Sequence, residues 1–191
     1  MGRRREFDDV TVIRAARDVF WERGYASSSL SDLQAATGLS RSSLYEAFGS
    51  KRGLFDRVAK SYLDEVIGPL LEPMEAEGAG RDEIVGYFHA LADFLRRSPR
   101  AVATRGCLML NTAMELNILD ADAARVVRGY RERVRAAIHH ALGGMADAVV
   151  DRDGKADVLT AGQMGLMTTS RIDPIQAAEL AETIAADIAG W

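Results

Sequence analysis

The chain has one cysteine, Cys107, among 191 residues, so no intramolecular disulfide can staple it and a reducing compartment is its simplest home. No uninterrupted apolar run approaches the ~18 residues that a membrane span requires. The opening residues MGRRREFDD are basic and then acidic, without the apolar segment of a secretory signal. Alternation of apolar and polar residues is also missing, so no strand ladder is expected. These absences lead to the expectation of a cytoplasmic, disulfide-free protein without strands. What remains is 48% hydrophobic residues in a chain long enough to bury one sizeable core or two small ones.

Charge is unevenly spread. The first 60 residues carry 11 basic and 8 acidic side chains, net +3, whereas the remainder is −7 within an overall −4. A mildly basic head ahead of an acidic body suggests two jobs. Helical periodicity runs from end to end. Val10, Ile13, Ala16 and Phe20 share a first helical face that Gly24 can close. Ser29 with Asp32, then Ser40, then Ser50 give start signals for three more helices, the last running through Leu54, Phe55, Val58 and Tyr62 toward the breakers Gly68 and Pro69.

Further helices are expected over Ile84 to Leu95, from about Gly106, and over Val127 to Ile138 up to Gly143. DRDGKAD reads as a polar loop before a helix holding Leu159, Gly162, Met164 and Gly165. Asp173, Pro174 and Gln176 start a final helix with Leu180, Ala181, Ile184 and Ile188 on its face. The fold expected is all-α: an N-terminal three-helix helix-turn-helix unit over residues 1–50 and a helical bundle over 51–191, joined by a helix over 51–70.

The stretch TGLSRSSLYEAFGSK carries the most specific signal. Gly38 permits a tight reversal between two short helices, which is helix-turn-helix spacing. A helix entering a DNA major groove needs small hydrogen-bonding or basic side chains in its first turn, and Ser40, Arg41, Ser42 and Ser43 meet that need, with Leu44 and Phe48 facing inward. Tyr45 presents a phenol beside the DNA backbone. Lys51, at a helix start, and Ser29 and Ser31 are candidate phosphate contacts, and Arg3, Arg4 and Arg5 form a candidate basic arm.

TGLSRSSLYEAFGSKRGLF, preceded by DVFWERGYASSSLSDLQAA, resembles the N-terminal domain of the TetR family of bacterial transcriptional repressors, over roughly Phe7 to Leu54. The shared features are the glycine-aromatic end of the first helix, the GLS turn, the LY pair and the F-x-x-K after it. Two places depart from that pattern. Gln34 stands where a small residue usually packs against the turn, and Glu46 and Ala47 stand where aromatic or basic groups are frequent, so base reading is expected to rest on Arg41 to Ser43 and the arm. The resemblance implies double-stranded operator DNA as partner, a small-molecule or electrophile effector held among the central helices, no cofactor, and a homodimer built by the last two helices. For that dimer Gly162, Gly165, Leu180, Ile184 and Ile188 are the candidates.

In TRGCLMLNTAMEL, Cys107, Asn111 and Glu115 recur every four residues and are expected on one stripe of a single helix. A "GC" before a helix resembles TetR-like regulators that sense electrophiles or oxidants, and Arg105 and a helix N-terminus beside Cys107 would favour thiolate. A buried small hydrophobe is the alternative for the same cysteine. Met114 and Phe88 join the candidate effector residues. His89, His139 and His140 show no ligand spacing, so no metal is expected. A small thiol enzyme using Cys107 with one of these histidines is the rival class, though it explains nothing about residues 27–52, and an effector-independent helix-turn-helix protein is the third.

Overall fold

The computed structural model describes residues 9–145 and 150–191, and every regular element among them is helical. The candidate arm Arg3 to Arg5 lies outside the described residues. α1 (Asp9–Ser27) buries Val12, Ile13, Ala16 and Phe20, while Val10, expected on that face, is exposed. α2 (Leu30–Thr37), α3 (Arg41–Phe48) and α4 (Lys51–Tyr62) each begin at a serine whose hydroxyl accepts a backbone N–H from the first turn: Ser29 from Asp32, Ser40 from Ser43, Ser50 from Gly53. Gly38, at φ 69°, makes the reversal after α2. Leu33, Leu44, Leu54 and Phe55 close around Phe20 to form the head.

Gly68 and Pro69 do not stop the fourth helix as expected. The chain passes through one π turn, Leu63–Ile67, and continues as α5 (Gly68–Glu75) with Pro69 in its first turn. A first-turn position has no intrahelical N–H partner to lose, and the wider π turn supplies the offset that lets proline follow a helix.

The body adds α6 (Arg81–Arg97), the single turn α7 (Arg100–Ala103), α8 (Leu108–Ala113), α9 (Ala121–Gly143), α10 (Arg152–Thr169) and α11 (Pro174–Ala189). DRDGKAD is not a loop but the start of α10. Asp151 caps it by accepting from Gly154, and Arg135 of α9 pairs with Asp153 and Asp157, so acidic residues spaced one turn apart gain a partner across the helix pair. α11 packs chiefly on α6, and its Ala177, Ala178, Ala181, Ala185 and Ile188 are all buried. Alanines let the two backbones approach closely. Ile188 therefore packs within the protomer rather than on the outer face expected of it.

Candidate nucleic-acid interface

The exposed face of the head is the first turn and outer side of α3. Ser40, Arg41, Ser42 and Tyr45 are exposed and Ser43 is half-buried. Ser40 spends its acceptor on the Ser43 N–H and lies 2.9 Å from the Ser42 hydroxyl and 3.0 Å from that of Ser43. The Arg41 guanidinium sits 5.6 Å from the Tyr45 ring centroid, so the two long side chains form one platform. Leu44 is buried beneath them and Phe48 packs on the core, which leaves this turn presenting only polar groups and the Tyr45 ring.

Ser29 is committed to a capping box with Asp32, while Ser31 is exposed 3.3 Å from it. Hydrogen bonds from Ser29 and then the Arg23 ion pair hold the Asp32 carboxyl below the ordinary range, so the cap stays ionised near neutrality. Lys51 does not project freely. Its ammonium lies 4.5 Å over the Tyr25 ring, and partial burial lowers its pKa against the opposing pull of Glu115.

Behind this face, α8 and the residues around it grip α1. The Trp21 indole N–H donates to the Gly106 carbonyl at 2.9 Å, and the Asn111 amide donates to the carbonyls of Arg105 and Trp21. Both Glu115 carboxylate oxygens accept from α1, Oε2 from the Tyr25 N–H at 2.6 Å and Oε1 from the Ala26 N–H at 3.1 Å. The expected single stripe is not one: Cys107 is the N-cap of α8, and Glu115 lies beyond its end, where the Glu115 N–H turns back to Thr112. Asn111 and Glu115 face the head, not a ligand cavity. Arg105 points the same way, 2.8 Å from Asp18, so its charge is spent on α1 rather than on the cysteine.

Cys107 itself is 2% exposed. The Tyr62 hydroxyl donates to its sulfur at 3.4 Å and the thiol faces the Tyr130 hydroxyl at 3.5 Å. The Gln163 amide donates to Tyr130 at 3.2 Å, and its own Oε1 is buried without a partner. Burial, reinforced by the nearby cysteine, pushes the phenols of Tyr62, Tyr87 and Tyr130 up, so they stay O–H donors at neutral pH. The thiol thus sits in a neutral, hydroxyl-rich nest. Phe88 is buried in the body core, whereas Met114, expected to line the interior, is 85% exposed, because the chain leaves α8 just before it. None of His89, His139 and His140 is among the hydrogen-bond partners of Cys107. They meet Glu182, Arg152 with Asp153, and the Ala76 carbonyl.

Sequence reasoning missed Tyr62, Tyr130, Gln163 and Trp21 as site residues. Gln163 carried a usable signal, a polar residue in register with the buried Leu159, Leu166 and Met167 on α10. The tyrosines carried none, since a phenol on an apolar stripe reads as core.

On the opposite side, α10 and α11 turn a second face outward. Val158 is 70% and Ile172 78% exposed, and Gly165 has nothing within 4 Å of an added Cβ. Leu180, with Thr169, Gln176, Glu179 and Thr183, lines an open groove of about 310 Å³. Gly162 faces inward, where its Cβ would meet the Ile184 side chain at 3.2 Å.

A polar, basic first turn raised on a glycine-turned, serine-capped helix pair defines a helix-turn-helix DNA-binding transcriptional regulator. The family description "Bacterial regulatory proteins, tetR family" matches residues 12–58. The uncharacterised HTH-type transcriptional regulator YezE of Bacillus subtilis (strain 168) is 37% identical over 142 residues, 74% of this chain and 72% of that protein. The chain belongs to the TetR family. The HTH-type transcriptional repressor ComR of Escherichia coli (strain K12) is 32% identical over 133 residues, 66% of this chain and 60% of its own length. The solved structure of CifR, a TetR family transcriptional regulator studied as a cysteine mutant complexed with 26 bp double-strand operator DNA, matches with TM-score 0.72 and 27% identity, covering 99% of this chain and 100% of that one.

Proposed function

We propose that the chain is a homodimeric cytoplasmic repressor that holds a pseudo-palindromic operator and releases it when an effector or a thiol-reactive electrophile reaches the interior around Cys107. Residues 1–50 read DNA and residues 51–191 carry the effector site and the dimer seam. The observation that carries this reading is the wiring of Cys107: its neighbour Gly106 accepts from Trp21, and Asn111, one turn on, holds the Trp21 carbonyl. Because the sulfur is buried between Tyr62 and Tyr130, an adduct on it must displace one of them, and Tyr62 packs edge-on against Trp21 at 4.9 Å. A push at the sulfur is therefore delivered to α1.

For an α,β-unsaturated carbonyl, the sulfur bonds to the β-carbon and the thiol proton ends on the α-carbon. The test is fluorescence anisotropy on DNA from upstream of the protein's own gene, before and after N-ethylmaleimide, with Cys107→Ser alongside. Release from the wild type alone is expected. Unchanged binding of both, or equal release of both, contradicts cysteine gating and leaves a reversible ligand as the effector.

Arg41 is assigned to base reading and Lys51 to phosphate. Arg41→Ala is expected to relax sequence preference at a cost of about 1–3 kcal/mol on the operator. Lys51→Ala is expected to weaken operator and random DNA alike and to lower the salt slope by about one. Equal losses on operator and random DNA from Arg41→Ala would remove its base-reading role.

A further inference from the structure

α1 is broken at Gly24, whose φ of 80° and ψ of 173° lie outside the helix. The N–H groups after such a break have lost their place in the i to i−4 ladder and need an acceptor. Glu115, from the body, supplies one to each of two consecutive groups, Tyr25 and Ala26. Glycine at 24 makes room for it, since an added Cβ would lie 2.8 Å from Glu115 Oε1.

Tyr25 is also a hub of the head. Its ring stacks on Phe20 at 6.0 Å, meets Phe55 edge-on at 5.1 Å, and carries the Lys51 ammonium above it. Other bonds cross the same joint, among them Asn111 Nδ2 to the Trp21 carbonyl at 3.3 Å and Arg14 and Arg17 to Glu65 of the π turn at 2.8 and 3.1 Å. Arg105 with Asp18 and Arg52 with Asp120 are ion pairs whose carboxylates are exposed, and such pairs contribute little. Trp21 with Gly106 is a neutral hydrogen bond. Glu115 differs from all of these in that one carboxylate accepts from two backbone N–H groups, charge-assisted bonds whose donors are fixed by the main chain.

We propose that Glu115 is a positioning residue for operator binding: by bridging the two N–H groups after the break in α1, it sets the angle at which each head leaves the body, and with it the spacing of two heads on two half-sites. This rests on the two-headed reading given above. Two half-sites about one helical turn apart demand a fixed relation between the heads, whereas a single half-site makes no such demand.

The experiment compares Glu115→Gln, nearly isosteric but with an N–H group where an acceptor stood, and Glu115→Ala with the wild-type protein. The probes are a duplex carrying the full operator, selected from random DNA by the wild type, and a duplex carrying one half-site, with circular dichroism melts run in parallel. Both variants are expected to bind the full operator about tenfold or more weakly. Half-site binding and the salt slope are expected to stay at wild-type values. Equal losses on both probes, or no loss on the full operator, overturn the assignment. A wild type that binds both probes equally well overturns the two-headed reading instead, and the proposal with it; that outcome is visible before any variant is made.

Discussion

Replacing Gly165 by arginine is expected to give a folded monomer that has lost most of its operator affinity. Gly165 lies on the outward face of α10, and an added Cβ meets nothing within 4 Å inside the protomer. Exchanging glycine for arginine in a helix interior favours the helix by about 1 kcal/mol or a little less, so the substitution does not weaken the protomer's own fold, and any fall in the melt reflects the lost association. In the proposed dimer the same side chain would hold the helices of the two copies apart and put a charge among exposed apolar residues such as Val158, Ile172 and Leu180. Coupling two heads into one particle raises affinity by roughly 10² to 10⁴ without any new contact, and that factor is what the variant forfeits. Light scattering would report half the wild-type mass, and anisotropy the lost operator binding. A variant of unchanged mass and affinity would move the seam to another face.

The second large effect is expected from Phe20→Ala, at about 3–5 kcal/mol of stability. The Phe20 side chain is fully buried and is the ring that Tyr25 and Phe55 both contact, the latter edge-on at 5.2 Å. Its removal leaves a cavity where α1 packs on α4. Domains of this size are stable by only about 5–15 kcal/mol, so the loss takes a large share. Thermal or urea melts followed by circular dichroism should show it, with operator binding falling in step as α3 loses its support. A loss below about 0.5 kcal/mol, the range of exposed positions, would mean that the head is not organised around this ring.

The helix starts of the head were readable in advance for a simple reason. A serine N-cap reaches only three residues, so Ser29, Ser40 and Ser50 state their helices without reference to anything distant. The same holds for Asp173 with Pro174 at the start of α11. Local rules failed where a tertiary partner outweighed them. Gly68 and Pro69 are breakers by propensity, yet the π turn and the packing of α5 on α9 carry the helix through. DRDGKAD is loop-like by composition, yet Arg135 and the Asp151 cap hold it in α10.

The candidate site divides along the same line. The polar first turn of α3 and its place after a glycine reversal follow from fifteen consecutive residues, TGLSRSSLYEAFGSK. The surroundings of Cys107 do not. Tyr62 and Tyr130 reach it from 45 and 23 residues away, and Gln163 meets Tyr130 from 33 residues further along the chain. Glu115 finds its N–H partners 90 and 89 residues back, which turns a residue expected beside a ligand into a brace on the head.

By itself, then, the sequence determined an all-helical chain with a DNA-reading head, because capping, reversal and amphipathic spacing act within a turn or two of helix. Only the tertiary structure decided that the cysteine lies among phenols, that Asn111 and Glu115 bind the head, and that Val158 and Gly165 face outward while Ile188 faces in. Those outcomes depend on which helices meet and at what rotation, and such pairing is set by the packing of the whole core rather than by any stretch of neighbouring residues.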